Sequence, residues 1–575
     1  MLKNLALAVA ATAVGVALVE VGVRVFAGPI RYHTTHIGES LHFDPHLGFR
    51  ELPHFETTSR DERGPFELRF NVDGFRGRPL PAEPEPASAG VERIAFLGDS
   101  FLVASAVREG ELMTTRTERA LRERGRQIEV YSLAASDYGT AQQLLLLRRT
   151  AQRLGPDAVV LVLYPPNDLA NNALELAGRT HVSPGDYLRP YLVSDGHGAL
   201  IVRYAHPRRA ALRRVSRTFA LLESRLLAGV ERRDLRWLEI WPKPLSQIER
   251  ARRYWPPVEA QEIYRRHDLQ QRWERAWDAT FELLRALADE TRALGARLLI
   301  LVVPGLEQVQ RDALTVRFDV GFRKVTGRGL EALLDWNLPE RRLAGWFAGQ
   351  EIDARLLLAP LRDAVRAGDG VYSPDAHLNA RGHEIAAAFV TQWYLGAEPS
   401  PVEPPTGSPV RLLPAAQAAE GRLDFRSASH SEYLSGGFLS RRSGTSGELG
   451  WTIAERAGLV LPARGGDLVV RGEALPSLPT PVSVTLGIEG GRRQSFPIDA
   501  HGPLTLRLER RLTRALPSGY VVVYLEIEGL DPVARRRPGL LIQQVGFERP
   551  SEGAPLKPNR PQPGAVPHDR TTKQG

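Results

Sequence analysis

Apolar residues recur along this chain in three rhythms, and each predicts a different kind of structure. Residues 5–19, LALAVAATAVGVALV, form an uncharged block behind Lys3, resumed as VGV after Glu20. Its length falls between a signal-peptide core and a full span. It predicts an uncleaved N-terminal transmembrane helix over 1–28, with Glu20 and Arg24 on one helix face near the outer interface. Between 91 and 396 short apolar runs alternate with amphipathic stretches. Strands are expected near 93–98, 128–133, 157–163, 297–303 and 351–356, and helices near 109–124, 140–154, 258–294, 358–367 and 380–395. This alternation predicts an α/β fold, a flavodoxin-like three-layer sandwich with a five-stranded parallel sheet. From 420 to 548 the rhythm shortens to strand periodicity in WTIAERAGLVL, DLVVRGEAL, LTLRLERRL and YVVVYLEIEGL, which predicts a C-terminal all-β sandwich.

The stretches between these blocks punctuate the chain. Residues 29–90 hold two extended segments, HFDPHLGFRELPHF and FELRFNVDGFRGRPL, with a turn at Asp73-Gly74 and a proline-rich linker at 80–90; they predict a small β layer on the flank. The interval 170–257 is too long for a connection and reads as a helical insertion. Its arginine-rich amphipathic stretch fits either a solvated face packed through leucines or a membrane-surface or polyanion site. Trp273, Trp277 and Phe281, spaced four apart, fit a core position better than a sugar platform. Residues 397–419 form a second proline-rich linker, and 549–575 are expected to be a disordered tail.

At 575 residues the chain exceeds one hydrophobic core, and its formal charge of +8 comes from arginine rather than lysine. Arginine spread over the whole length, with no nucleic-acid motif, points away from nucleic-acid binding. The absence of cysteine removes disulfides and thiolate chemistry. No HExxH, phosphate loop or dinucleotide fingerprint occurs, so no metal or cofactor is assigned.

The candidate chemistry gathers where apolar runs stop. VERIAFLGDSFLV (91–103) ends a buried strand on Ser100, and in an open α/β sheet the carboxyl ends of strands are where ligands bind. Taken alone, Gly98-Asp99-Ser100 could equally be a strand-to-helix turn with a capping side chain. A serine nucleophile needs a base and a group that orients the base. Asp375 and His377 supply both, two apart in an extended loop, with Asn379 as N-cap of the helix that follows. The rival base, His383, lies six residues beyond His377 on the first turn of that helix and points elsewhere.

Four stretches, GDSF at 98–101, SLAASDYGT at 132–140, YPPND at 164–168 and SPDAHLNARGH at 373–383, resemble in order and spacing the SGNH (GDSL-like) hydrolase family. The resemblance implies Ser100 as nucleophile, His377 as base and Asp375 as its orienting acid. It also implies an oxyanion hole made by the Ser100 N–H, a glycine N–H and the Asn167 side chain. The sequence departs at the glycine: Ser136 matches, but Asp137 follows it and Gly139 comes two later. Asp137 in a left-handed conformation costs about 1 to 2 kcal/mol, and its charge opposes an oxyanion unless turned away or neutralised. Ala104 also stands where the family often has glycine. Membrane-anchored relatives carry Gly-Phe-Arg pairs like those at 48–50 and 74–76, and the C-terminal block resembles carbohydrate-binding jelly rolls, with Trp451 and Tyr433 as sugar-stacking or core aromatics.

The resemblance therefore implies a single-pass protein of the inner or cytoplasmic membrane whose catalytic body is periplasmic. It would hydrolyse acyl esters of a polysaccharide, with O-acetyl transfer by the same triad, or non-catalytic carbohydrate binding, as the alternatives.

Overall fold

The structure, a computed structural model, describes residues 2–31, 40–61, 63–82, 90–177, 188–233, 263–264, 271–311, 334–373 and 376–396. Beyond these it describes 406, 410–411, 422–424, 426, 438–443, 449–453, 456–462, 466–488, 493–509, 520–528 and 539–548. Asp375, Tyr433, residues 234–257 of the insertion and the tail 549–575 lie outside the described residues, as does the side chain of Trp451.

Five strands, β1 (Glu92–Gly98), β2 (Ile128–Ala134), β3 (Ala158–Leu163), β4 (Arg297–Val302) and β5 (Asp353–Leu356), form one sheet in the order β5-β4-β3-β1-β2. All neighbours are parallel, with Ile94 beside both Val130 and Ala158. This is the flavodoxin-like order. The strands read as unbroken apolar runs because both faces are covered. Leu161 points to one side, where it packs with Leu144 of α4 (Thr140–Leu154) and with Trp277 and Leu284 of α8 (Gln271–Ala293). Val160 and Val162 point to the other, toward Met113 and Leu121 of α3 (Met113–Arg122) and Val390 of α11 (Ala380–Tyr394). Trp273 and Trp277 are fully buried, and Phe281 stacks on Trp346 of the helix Leu338–Phe347 at 4.9 Å. These aromatics are core.

Residues 40–80 fold as two antiparallel hairpins, Leu41–Asp44 with Gly48–Glu51 and Glu56–Asp61 with Gly64–Arg69. The first is cemented to the α/β body by Leu47 and Phe49. Gly48 has φ +81°, and a Cβ there would lie 2.4 Å from the Leu188 carbonyl oxygen. Within the insertion the described residues include a hairpin, Tyr191–Ser194 with Leu200–Arg203, followed by α6 (Pro207–Val215) and α7 (Arg217–Arg233).

The N-terminal helix α1 (Leu2–Phe26) forms, but among the described residues no helix is long and apolar enough to cross a membrane, so the expected span is not established. The far end of α1 is occupied with protein contacts. Glu20 pairs with Arg24 at 2.8 Å and accepts hydrogen bonds from the backbone of Arg217 and Thr218 at the start of α7.

The C-terminal unit is all antiparallel. One sheet includes Leu449–Ile453, Asp467–Ala474, Gly502–Leu508 and Leu540–Glu548; a second contains Arg456–Pro462, Val482–Ile488, Arg493–Ile498 and Tyr520–Glu528. Val470, Leu506 and Ile542 of the first sheet and Leu459, Leu486 and Leu525 of the second share one apolar core, a sandwich as the period-two pattern predicts.

Candidate active site

Ser100 opens α2 (Ser100–Val103), a single turn folded back against the end of β1. The reversal needs Gly98, where a Cβ would approach Leu102 Cβ to 2.8 Å. Asp99 caps the turn, its Oδ1 accepting the Phe101 N–H at 2.9 Å. The turn ends at Ala104 in the left-handed region (φ 47°). The family's glycine at this position is thus a backbone requirement, which Ala104 meets with strain of about 1 kcal/mol. Arg76, buried and from the second Gly-Phe-Arg motif, donates from Nη1 to the carbonyls of Val103 and Ala104 at 2.9 and 2.7 Å. Burial pulls its guanidinium down to about 10.

The base arrives from the loop before α11. Ser373 N and Oγ donate to the His377 carbonyl at 2.8 and 2.9 Å, and Tyr372 Oη donates to Pro304 at the end of β4. Asn379 caps α11 by accepting from Arg381 N and Gly382 N. So held, His377 Nε2 lies 2.8 Å from Ser100 Oγ. Its ring packs 4.8 Å from Phe101, which in turn lies 4.1 Å from Tyr164. These hydrogen-bond and ring contacts fix the imidazole face, and Ala376 beside it has φ 67°. Asp375 lies outside the described residues. His383 is elsewhere: fully buried, its Nδ1 accepts the Met113 N–H at 3.0 Å, and burial, with Arg76 and Arg116 nearby, lowers it to about 3. That histidine is neutral and structural.

Asn167 sits in the first turn of α5 (Pro165–Asn172), directly after β3, where two prolines suit a helix start. Its Nδ2 donates to Asp99 Oδ2 at 2.8 Å, which turns the amide toward the Ser100 turn and leaves a second N–H on the same nitrogen. The neighbouring Asp168 accepts the Tyr164 N–H at 2.7 Å. Burial raises the carboxyls of both Asp99 and Asp168; the charge of Asp137 adds to both, and that of Asp99 adds to Asp168.

The loop after β2 shows how the two departures from the glycine pattern are accommodated. Asp137 does adopt the left-handed conformation, φ 65°. Its carboxylate is paired: Oδ2 accepts from Arg189 Nη2 at 2.8 Å and Oδ1 from Asn171 Nδ2 at 3.2 Å. Gly139 is extended (φ −105°), is the N-cap of α4, and its N–H faces Gln142 Oε1 at 3.5 Å. The loop is underpinned by the flank hairpin, where buried Glu51 accepts the Ser136 N–H at 3.0 Å and Phe49 O accepts Tyr138 Oη at 2.7 Å. Burial raises the Glu51 carboxyl.

Ser100 after β1, Asp137 after β2, Asn167 after β3 and His377 before the last helix thus stand at one edge of a 2-1-3-4-5 sheet. The chain resembles an SGNH hydrolase. No protein-family model matches it, and no curated protein matches it by sequence. Among solved structures it is similar to a two-domain esterase active on acetylated mannans, with 11% identity and a TM-score of 0.24 over 81% of this chain and 93% of that one. The acetyl xylan esterase AlAXEase gives 12% and 0.26 over 53% and 98%. A lipase/acylhydrolase from Enterococcus faecalis gives 12% and 0.24 over 54% and 98%.

Sequence reasoning missed Arg189 and the role of Arg76, and it foresaw Asp99 only as a cap, not as the acceptor of the Asn167 amide. Only Arg76 carried a local signal, its repeated Gly-Phe-Arg context.

Proposed function

We propose that the protein is a membrane-anchored, extracytoplasmic serine ester hydrolase of the SGNH type, acting on O-acyl groups, acetyl above all, of a polysaccharide. The observation that carries the chemistry is the 2.8 Å contact between Ser100 Oγ and His377 Nε2, within reach for direct proton transfer. Ser100 Oγ bonds to the ester carbonyl carbon as its proton passes to His377 Nε2. The carbonyl electron pair moves onto oxygen, and the Ser100 N–H, the Asp137 N–H and the second Nδ2 hydrogen of Asn167 receive that charge. Collapse expels the sugar alkoxide, which takes the proton back from His377. Water, deprotonated by His377, then releases the acyl group from Ser100. Asp375 would orient the imidazole, as its place two residues before His377 suggests. Gly139 is left out of the oxyanion set because its N–H faces Gln142.

The carrier is inferred from layout: an appended β-sandwich of the kind that holds sugar chains, and a site at an open sheet edge. Attachment is inferred from α1, on which Leu7, Val14, Val16, Leu18, Val21, Val25 and Phe26 are each more than half exposed; such a surface needs covering.

Labelling of the full-length protein by a serine-directed fluorophosphonate, abolished in Ser100→Ala, is the expected result. Labelling that survives the substitution, or none on folded protein, would leave a non-catalytic scaffold. Acetyl gain by a polysaccharide offered an acyl donor would make the protein a transferase. Recovery of the whole chain in the soluble fraction, without detergent, would remove the anchor.

A further inference from the structure

Arg189 is a fully buried cation that the hydrolysis scheme does not use, and it converges on the residue that scheme finds most awkward. Its side chain is fully buried, whereas the Asp137 side chain keeps 20% of its surface exposed. Nη1 donates to the Asp137 carbonyl at 2.6 Å and to Gln142 Oε1 at 2.7 Å, while Nη2 reaches Asp137 Oδ2 at 2.8 Å. Asn171 Nδ2 adds contacts to the same carbonyl and to Oδ1. Every oxygen of Asp137 therefore accepts a hydrogen bond, and the guanidinium grips main chain and side chain at once.

We propose that Arg189 is a positioning residue for the oxyanion: it neutralises the carboxylate that Asp137 brings beside the reacting carbonyl and holds the Asp137 N–H in its donating direction. The inference rests on the ester-hydrolase reading above. Two physical demands meet in this loop. The backbone must stay left-handed at a residue with a Cβ, which needs outside support, and a negative charge must not oppose the one that develops during reaction. The planar fork of an arginine answers both, since one nitrogen can hold a carbonyl while the other pairs with a carboxylate.

The support for Arg189 comes from outside the α/β core. Leu188 and Arg189 pack against the backbone of Gly48, and the guanidinium lies 5.8 Å from the centre of the Phe49 ring. Gln142, which shares Arg189 Nη1, donates in turn to the Leu47 carbonyl at 2.7 Å. The insertion and the flank hairpin, neither of which belongs to the sheet, are thereby tied to the oxyanion loop.

The test is steady-state hydrolysis of p-nitrophenyl acetate by the full chain and its variants. Arg189→Met, which keeps length and drops charge, is expected to lower kcat about 100-fold with KM changed little, the loss typical of a spoiled oxyanion donor. Adding Asp137→Asn to it should recover kcat at least tenfold, because the opposing charge has gone. Arg189→Lys, which keeps the charge, should fall less than Arg189→Met, and it carries the test if the methionine variant does not fold. A double variant no faster than Arg189→Met, or a lysine variant as slow as the methionine one, would make Arg189 mere packing and overturn the proposal while the ester-hydrolase reading stands. An inactive wild type that also resists fluorophosphonate would instead bring down that reading, and this inference with it.

Discussion

The edge of the parallel sheet and the C-terminal sandwich bury their residues in opposite ways. At the edge, Asp99, Asp168, Gln142, Asn171, Asn172 and Arg189 are all buried, and the hydrogen bonds given above engage Asp99, Asp168, Gln142, Asn171 and Arg189. In the sandwich the shared core is apolar, and Glu473, Thr485 and Gln543 are its buried polar groups among the described residues. Taking a polar group out of water costs several kcal/mol unless it is bonded, so a dense buried network persists where it holds atoms in place for chemistry. The sandwich is held chiefly by its apolar core and strand ladders, with a few bonded polar groups such as Gln543 and Glu473, and its substitutions should change stability without touching the reaction.

The widest separation between the two regions comes from Ser100→Ala, which should lower kcat/KM at least about 10⁴-fold while leaving the thermal midpoint within a degree or two. A proportionate loss of stability would mean that the edge is scaffold. Next, Asn167→Ala should lower kcat about 100- to 1,000-fold with little change in KM, and it should also weaken the turn at Asp99, which loses its 2.8 Å partner. A rise in KM alone would place Asn167 in ground-state binding. In the sandwich, Leu486→Ala, at a fully buried position, should cost about 2 to 5 kcal/mol in that unit's stability and leave kcat on a small ester unchanged. A matching fall in kcat would show that the two regions are energetically one.

How legible each region was in the sequence follows the same division. The sheet strands stood out because parallel strands covered on both faces are continuous apolar runs, and β1 and β3 end within a residue or two of the expected limits. The sandwich was legible by its alternation alone, with no site attached. At the edge, the short segments that bring Ser100 and His377 together were visible, Ser100 at a strand stop and His377 before a capped helix. Arg189 was not, because its partner Asp137 lies 52 positions away and nothing in the intervening pattern links them. Gly139 shows the converse: close to Asp137 in sequence, it caps α4 instead, and its N–H faces Gln142. The N-terminal block showed its helix and not its setting, since the contacts of Glu20 with Arg217 and Thr218 span nearly two hundred residues.

The smallest expected effect belongs to His383, and it separates the two histidines of the last segment. His383 links α11 to α3 through its bond from the Met113 N–H, and burial lowers it to about 3, against about 6.5 in an unfolded chain. Below pH 6.5 the unfolded chain binds a proton that the folded one refuses, so stability falls as pH falls, by about 2 kcal/mol at pH 5 from this group. His42, lowered to about 4 by burial, acts in the same direction. Replacing His383 with Gln should therefore remove about one proton from the uptake on unfolding between pH 6.5 and 5, measured as the slope of urea-unfolding free energy against pH, while His42 keeps the rest. An unchanged slope would mean that His383 titrates normally in the fold. It would then be free to act as a base, and the assignment of that role to His377 would have to rest on the Ser100 contact without the exclusion of its rival.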